Sequence, residues 1–311
     1  MGSLGLGSKI ARPQIVAVDS AGGRVRLLAC ALRPGPTSPR LGVLPLVPNT
    51  PLRVTRTVLD SLAFSGIWTA FAAATLIGAS GVFLQPPWGP AQLGLACGLG
   101  FAGTMTVYAF DRVRDIQRDQ ASSPSRSAFV ARHQRSLLGV SAAGLSLSLA
   151  AAWALPPITW LLCAGVGAMG LLHRRLKNRS PSAWVYVSAA WVGITVGLPA
   201  LIAAPDAISL SALLTLTLCW ALAIGSNALA SERRGLLYDA QAATQMRRAR
   251  RWALASAVTP LILPGSPGLA AVGIATWLAT LFFRPEERYG LIVLDGALVV
   301  GGGLAVAWMI L

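Results

Sequence analysis

The sequence predicts an all-α, polytopic integral membrane protein with nine transmembrane helices, an N-terminus in the cytoplasm and a C-terminus outside. The first observation behind this prediction is composition. Of the 311 residues, 54% are hydrophobic and 12% are charged, and the mean hydropathy is +0.62, which is too apolar for a soluble chain of this length. The other two observations are a series of apolar runs and the placement of the cationic residues between them.

The apolar runs follow one another from residue 61 to the C-terminus. A bilayer core about 30 Å thick takes about 20 helical residues, so most of these runs are long enough to span it. The shortest run, 252–264, is counted because the turn after it is uncharged and would form a tight hairpin with the next helix. The runs are 61–84, 91–110, 136–154, 157–173, 183–204, 208–230, 252–264, 268–283 and 289–311.

The cationic residues lie in alternate connections. All 26 Lys and Arg residues fall in the first 56 residues or in the connections after spans two, four, six and eight, and the opposite connections hold none. The positive-inside rule therefore places the basic connections in the cytoplasm. The net charge of +15 then reflects topology and attraction to anionic lipid, and nucleic-acid binding is not expected. We expect an integral protein of a bacterial inner membrane, with the lipid bilayer as partner and a polar site facing the cytoplasm.

The chain divides into two predicted regions. Residues 1–55 are expected to form a basic, flexible cytoplasmic arm, and residues 56–311 the nine-helix domain; an organelle transit peptide or an upstream start are alternatives for the arm. The four cysteines show no paired spacing and the two histidines are isolated, which argues against a disulfide framework, a zinc site or a histidine-based triad.

Acidic residues recur at the end of span two. Asp111, Asp115 and Asp119 stand four residues apart, so on a helix they form one acidic stripe. Carboxylates tolerate such proximity when they share a divalent cation, and Mg²⁺ held in this way commonly presents a diphosphate. Arginines are interleaved with the aspartates, so a solvated helix end with ion pairs is the alternative.

A second acidic cluster, Glu232 and Asp239, follows span six on the same predicted side of the membrane. If helix packing brings the two clusters together, they could hold one or two Mg²⁺ ions and, with nearby arginines, grip a diphosphate while an apolar tail lies between the helices. Such a site would ionise an allylic diphosphate and shelter the carbocation from water. Asp295 lies within the last span, where it either binds substrate or pairs with another helix.

These features resemble the UbiA prenyltransferase superfamily, whose members have nine transmembrane helices and aspartate-rich motifs at the ends of helices two and six. The run Asp111-Arg-Val-Arg-Asp115 fits the Asp-Arg-x-x-Asp half of the first motif, whereas Val107 stands where the motif has Asn. The second motif, Asn-x4-Asp-x2-Asp-x3-Asp, is degenerate here, with Glu232 and Gly235 replacing two of its aspartates.

The resemblance implies a Mg²⁺-dependent transfer of a polyprenyl group from a prenyl diphosphate to a lipophilic acceptor, aromatic in much of the family. It implies that Asp111, Asp115 and Asp239 are catalytic and bind metal together with Glu232. Arg112 and Lys177 would steady the diphosphate. Tyr108 and Asn227 would orient substrate, or serve as ordinary hydrogen-bond partners between helices.

A second hypothesis comes from another functional class. The protein could be a catalytically inactive UbiA-like protein that binds an isoprenoid, quinone or pigment, or a subunit or assembly factor of a membrane complex. Val107 and Gly235, at two positions where the motifs are polar, favour this alternative. A secondary transporter is less favoured because no inverted repeat is visible.

Overall fold

The computed structural model describes residues 50–84, 89–120, 122–179, 183–203, 208–232 and 240–311, and these residues are helical apart from short connections, with no strand among them. The predicted basic arm lies outside the described residues as far as residue 49, and the first helix begins at Thr50. The α-helices are α1 (Thr50–Ser65), α2 (Ile67–Leu84), α3 (Pro90–Arg114), α4 (Ile116–Asp119), α5 (Pro124–Arg132), α6 (Gln134–Trp153), α7 (Ile158–Arg179), α8 (Ala183–Val192), α9 (Leu198–Ile202), α10 (Leu210–Ser231), α11 (Ala240–Ile262), α12 (Ala270–Leu281), α13 (Glu287–Tyr289) and α14 (Asp295–Ile310).

Each predicted apolar run coincides with helix in the described chain, but only six helical segments there are both long and apolar enough to cross a membrane. Two further apolar helices, Ile158–Gly170 and Pro267–Leu281, are shorter. Residues 252–262 of the run 252–264 form the second half of α11, whose first half carries four arginines at 247–251. The all-helical membrane class is therefore confirmed, while the count of nine spans and the N-in, C-out orientation stay predictions. The six segments are Ile67–Leu84, Pro90–Arg114, Gln134–Trp153, Trp184–Ile202, Leu210–Ser231 and Glu287–Ile310.

The break between α1 and α2 is set by one glycine. Gly66 has φ +94°, a conformation that residues with a Cβ rarely adopt. A Cβ at this position would lie 3.1 Å from the Cβ of Tyr108 on α3. The break therefore needs glycine for its backbone angle and for the close approach of α3.

The helices pack in two groups joined by α2. In the first group α3 packs along α2 and α6; in the second, α10, α11, α12 and α14 pack in succession, and α14 returns to α2. Gly273 on α12 lies so close to α11 that an added Cβ would be 2.3 Å from the Ala257 nitrogen. In the core between the groups, the fully buried Trp220 donates its indole N–H to Ser80 Oγ at 2.8 Å.

Two π-helical segments interrupt the apolar helices: Gly193–Gly197 joins α8 to α9, and Gly290–Leu294 joins α13 to α14. Two carbonyls of the second segment accept hydrogen bonds from side chains of other helices. Trp68 Nε1 donates to the carbonyl of Ile292 at 3.0 Å, and Asn227 Nδ2 donates to the carbonyl of Leu294 at 2.8 Å. A π-turn alters the helix hydrogen-bond ladder, and here side chains from α2 and α10 satisfy carbonyls within it.

Asp295, the carboxylate predicted within the last span, begins α14 directly after this π-segment. Thr69 Oγ1 on α2 donates to Asp295 Oδ2 at 3.1 Å. The carboxylate therefore makes an interhelical contact, which is one of the two roles expected for an acidic residue inside a helical bundle.

The short helix α13 connects distant parts of the chain. Arg288 binds both carboxylate oxygens of Asp60 on α1, at 2.8 and 2.9 Å. The Glu287 carboxylate accepts the backbone N–H groups of Ser125 and Arg126 at 3.3 and 2.9 Å. Because these two amides lie in the first turn of α5, Glu287 caps the N-terminus of that helix, where a negative charge is favourable.

Candidate functional site

An apolar cavity of about 900 Å³ lies between α3, α6, α7 and α8. Its walls are mostly aliphatic and aromatic, with Leu99 and Val107 on α3, Leu145 on α6, Met169 on α7 and Trp191 on α8 among them. The volume falls in the upper part of the range of roughly 300–1,000 Å³ that is typical of small-molecule pockets. A cavity of this size and character suits a long apolar ligand.

The cavity has one acidic end. Tyr108 and Asp111, three residues apart and therefore on the same face of α3, both line it. The Asp111 side chain is 30% exposed and that of Asp115, one turn further along, is 12% exposed. Two carboxylates of the predicted first motif thus stand at this end of α3, and one of them faces the cavity.

Arg114 lies between these two carboxylates. Its Nη2 forms an ion pair with Asp111 Oδ1, and its Nε is 3.7 Å from Asp115 Oδ1, which is beyond ordinary hydrogen-bond distance. The guanidinium offsets part of the negative charge that the two aspartates would otherwise concentrate. An incoming cation would therefore compete with Arg114 for Asp111.

The third aspartate of the stripe has a different environment. Asp119 Oδ2 is 2.6 Å from Arg126 Nη2 on α5, and Asp119 is not part of the cavity wall. The stripe that the spacing predicts therefore divides: Asp111 faces the cavity, while Asp119 joins α4 to α5.

Arg112, predicted to steady a diphosphate, is only 7% exposed and is not part of the cavity wall. Its Nη1 donates to the backbone carbonyls of Ala63, at 2.9 Å, and of Phe64. These carbonyls belong to the last turn of α1, where no further helical N–H is available to them. This geometry gives Arg112 a structural role, holding the end of α1 against α3.

The residues of the second motif, and Lys177 after the fourth predicted span, lie apart from the cavity wall or outside the described residues. Asn227 is 7% exposed and is bonded to Leu294, and its Oδ1 accepts from Ser231 Oγ at 3.3 Å. Glu232 follows α10 and is exposed. Asp239 lies outside the described residues, and so does the side chain of Lys177.

The described residues contain no group of three or more His, Cys, Asp or Glu side chains placed to hold a metal ion. Asp111 and Asp115 offer the oxygen ligands that Mg²⁺ prefers, but two carboxylates paired with one arginine do not form a complete site. A magnesium site here would need further ligands; the predicted ones are Glu232, at the end of α10, and Asp239, which lies outside the described residues.

Two aromatic residues of α8 belong to the cavity but were not predicted as site residues. Tyr186 and Trp191 both line it, and the Trp191 ring meets Tyr108 edge-on with 6.5 Å between ring centroids. The only signal in the sequence was a tyrosine and a tryptophan five residues apart within an apolar run, a pattern that packing alone also produces. Their position places an aromatic wall beside Asp111.

The far end of the cavity lies at the turn between α6 and α7. Trp153 and Trp160 stack there with ring centroids 5.4 Å apart and planes inclined by 19°, and Trp160 Nε1 donates to the carbonyl of Ala152 at 2.7 Å. On α3 the lining runs from Leu99 to Asp111, which corresponds to about 18 Å at the helical rise. The cavity is therefore elongated along the helices, with aromatic rings at one end and a carboxylate at the other.

Neither a family model nor a curated protein matches the sequence. Among solved structures, the fold is similar to that of a UbiA homolog from Aeropyrum pernix K1 in its apo form, with a TM-score of 0.53 and 16% identity over 78% of this chain and 95% of that one. A digeranylgeranylglyceryl phosphate synthase aligns with a TM-score of 0.46 and 13% identity, over 81% of this chain and 99% of the other. From the first of these similarities, the chain has a UbiA-like fold.

Proposed function

We propose that this protein is a membrane-embedded prenyltransferase, which moves a polyprenyl group from a prenyl diphosphate to a lipophilic, aromatic acceptor. The observation that carries the proposal is the elongated apolar cavity ending at Asp111, the first aspartate of the predicted motif. The prenyl chain would lie along the cavity, and the diphosphate would face the acidic end of α3. The UbiA-like fold supports the proposal.

The residues around the cavity suit such a reaction. Apolar walls exclude water from an allylic carbocation, which water would otherwise capture. The Tyr108 and Trp191 rings can stabilise positive charge through their π-faces. Asp111, Asp115, Glu232 and Asp239 are the proposed Mg²⁺ ligands, and bound Mg²⁺ would neutralise charge on the leaving diphosphate. The protein's own residues would bind the prenyl chain, hold the diphosphate near Asp111 and exclude water.

The test is turnover of prenyl diphosphates by the purified protein in liposomes with Mg²⁺ and a panel of aromatic acceptors. Asp111→Asn and Asp115→Asn should each abolish turnover, because each removes a charged ligand. The matched control is Asp119→Asn, which changes the third aspartate of the same stripe; its partner is Arg126 on α5, and turnover should persist. Turnover that is unchanged in Asp111→Asn and Asp115→Asn would place the site elsewhere.

A second candidate is a catalytically inactive protein that binds an isoprenoid, quinone or pigment, alone or as part of a membrane complex. Val107 favours it, because this aliphatic side chain lines the cavity where the first motif of the family would place an amide. Binding of a prenyl thiodiphosphate separates the two candidates. A transferase should bind it much more tightly with Mg²⁺, whereas a binding protein that recognises only the apolar chain should bind equally well with and without the metal.

A further inference from the structure

The helices α11 and α12 form a hairpin with a cationic end. They are consecutive and pack along each other. Arg247 and Arg251 stand four residues apart on α11 and are both exposed, and so is Arg284, three residues after the end of α12. Arg250 donates to two carbonyls in the last turn of α12, at 3.0 and 3.2 Å. This contact holds the end of α12 beside the arginines of α11, so that all of these cations lie at one end of the hairpin.

The charge of Arg247, Arg251 and Arg284 is not balanced within the described part of the chain. None of the three forms an ion pair with a carboxylate there. The arginines beside the acidic stripe differ, since Arg114 pairs with an aspartate of α3 and Arg126 with one of α4. Guanidinium groups bind phosphate oxygens well, so the cationic end of the hairpin suits a phosphate-bearing partner.

An apolar row continues the same face of α11. Arg247, Arg251, Leu254, Val258 and Leu261 follow one another at spacings of four and three residues, which places them on one side of the helix. The three aliphatic side chains are 51%, 39% and 62% exposed. From Arg251 to Leu261 the helix rises about 15 Å, which is half of a hydrocarbon core of about 30 Å. One face of α11 therefore joins two cations to an apolar surface as deep as one leaflet.

α12 adds a second apolar row. Ile274, Leu278 and Phe282 stand four residues apart at its surface and are all exposed. This row ends close to Arg284, just as the row on α11 ends at Arg251. The hairpin thus offers two exposed apolar rows, and each of them has an exposed arginine at its charged end.

A tryptophan marks the depth of the cationic end. Trp252 follows Arg251 directly, and the guanidinium carbon of Arg248 lies 5.4 Å from the centroid of its ring. Tryptophan is enriched where hydrocarbon meets the headgroup layer of a bilayer. The arginines are therefore expected at the depth of the lipid phosphates, and the apolar rows at the depth of the acyl chains.

We propose that the α11–α12 hairpin binds a diacyl phospholipid with an anionic headgroup, taken from one leaflet of the bilayer. The phosphate would bind Arg247 and Arg251, and the acyl chains would lie along the two apolar rows. Charge complementarity selects this occupant, because a zwitterionic phospholipid brings the same chains without a net negative charge and a soluble anion brings no chain. No residue of either helix is part of the cavity wall, so the lipid site is separate from the proposed transfer site.

The test is native mass spectrometry of the purified protein in detergent, titrated with phosphatidylglycerol or with phosphatidylcholine of the same chain length. The parent should bind phosphatidylglycerol about 30-fold more tightly, because each arginine near an anionic headgroup contributes about fivefold. The double variant Arg247→Gln, Arg251→Gln should bring the two affinities within about twofold of each other. Arg250 is left in place because it holds α12. An unchanged preference in the double variant would overturn the proposal.

The matched control removes two exposed arginines elsewhere. Arg132 ends α5 and Arg135 lies in the first turn of α6, so they belong to different helices. The double variant Arg132→Gln, Arg135→Gln should keep the preference of the parent. If both double variants lose the preference equally, the attraction is a general property of the basic surface and the hairpin is not a site. Inorganic phosphate and glycerol phosphate at millimolar concentration should not displace phosphatidylglycerol; displacement by either would show a site for a soluble anion and refute the lipid.

Cross-linking of the parent protein locates the chains without any substitution. Phosphatidylglycerol with a diazirine in its acyl chain should label the segments 254–261 and 274–282 after illumination in liposomes, more strongly than phosphatidylcholine with the same diazirine. Equal labelling by the two lipids would refute the site. Turnover of prenyl diphosphates does not enter either measurement, so a protein without transferase activity that passes both tests would refute the proposed function and leave the lipid site standing.

Discussion

Replacing Arg112 by methionine tests whether this buried guanidinium stabilises the fold or binds substrate. The side chain is 7% exposed and donates to two carbonyls in the last turn of α1. Methionine has a similar length but no donor, so both carbonyls lose this hydrogen bond. The C-terminal end of α1 would then be held less firmly against α3, next to the break at Gly66.

The expected loss follows from the two contacts. Hydrogen bonds that involve a charged group contribute about 1.5–3 kcal/mol each, and contributions of neighbouring bonds are not fully additive, so the free energy of unfolding should fall by about 3 kcal/mol. For a domain of this size, each kcal/mol lowers the melting temperature by about 2–4 °C. We therefore expect the Tm of Arg112→Met to fall by about 6–12 °C.

The assay is thermal unfolding of the detergent-solubilised protein, with prenyl thiodiphosphate affinity measured in parallel at a temperature where each variant is folded. Arg118→Met is the matched control, since Arg118 is an exposed arginine of the adjoining helix α4. Arg112→Lys should fall between the parent and Arg112→Met, because one ammonium can replace only part of the interaction. An unchanged Tm together with weaker thiodiphosphate binding would refute the structural role and restore the role in diphosphate binding.

Three further substitutions test other features of the fold. Gly66→Ala should destabilise the protein by about 1–2 kcal/mol, because its φ of +94° is strained for alanine; an equal or higher Tm would contradict this. Glu287→Gln should lower the free energy of unfolding by about 1 kcal/mol, because it removes the charge that caps α5. It should also speed protease cleavage near residue 125, and unchanged cleavage would count against the cap. Asn227→Ala should lower the free energy of unfolding by about 1–3 kcal/mol, because the buried carbonyl of Leu294 loses its side-chain donor. Equilibrium unfolding of Asn227→Ala, compared with that of Ser231→Ala, would show whether the loss is specific to that donor.

The helices could be predicted because hydrophobic transfer dominates their formation in a bilayer. Most of the apolar runs are long and, apart from Asp295, they lack acidic and cationic side chains. In a bilayer, helix is the one conformation in which a single unpaired segment satisfies its own backbone hydrogen bonds. Local interruptions were not predictable in this way. The π-segment at 290–294 accepts hydrogen bonds from side chains of other helices, such as Trp68. α5 begins within a connection, where Glu287, 161 residues after Arg126, caps it.

The candidate site could be predicted only in part. The spacing of the aspartates pointed to the end of α3, and Asp111 does face a cavity there. The contact of Arg112 with the end of α1 could not be predicted, because an arginine that caps another helix and one that anchors a span at the membrane surface occur in the same sequence context. The walls on α6, α7 and α8 were not visible either, since lipid-facing and cavity-facing positions are both apolar.

The contacts of α13 determine when the protein can complete its assembly. Asp60 receives its partner Arg288, and the first turn of α5 receives Glu287, only after nearly the whole chain has been translated. The helices α1 and α5 are therefore made before either of these partners exists. The contacts that α13 makes with α1 and α5 are therefore the last of these polar contacts that synthesis of the chain makes possible.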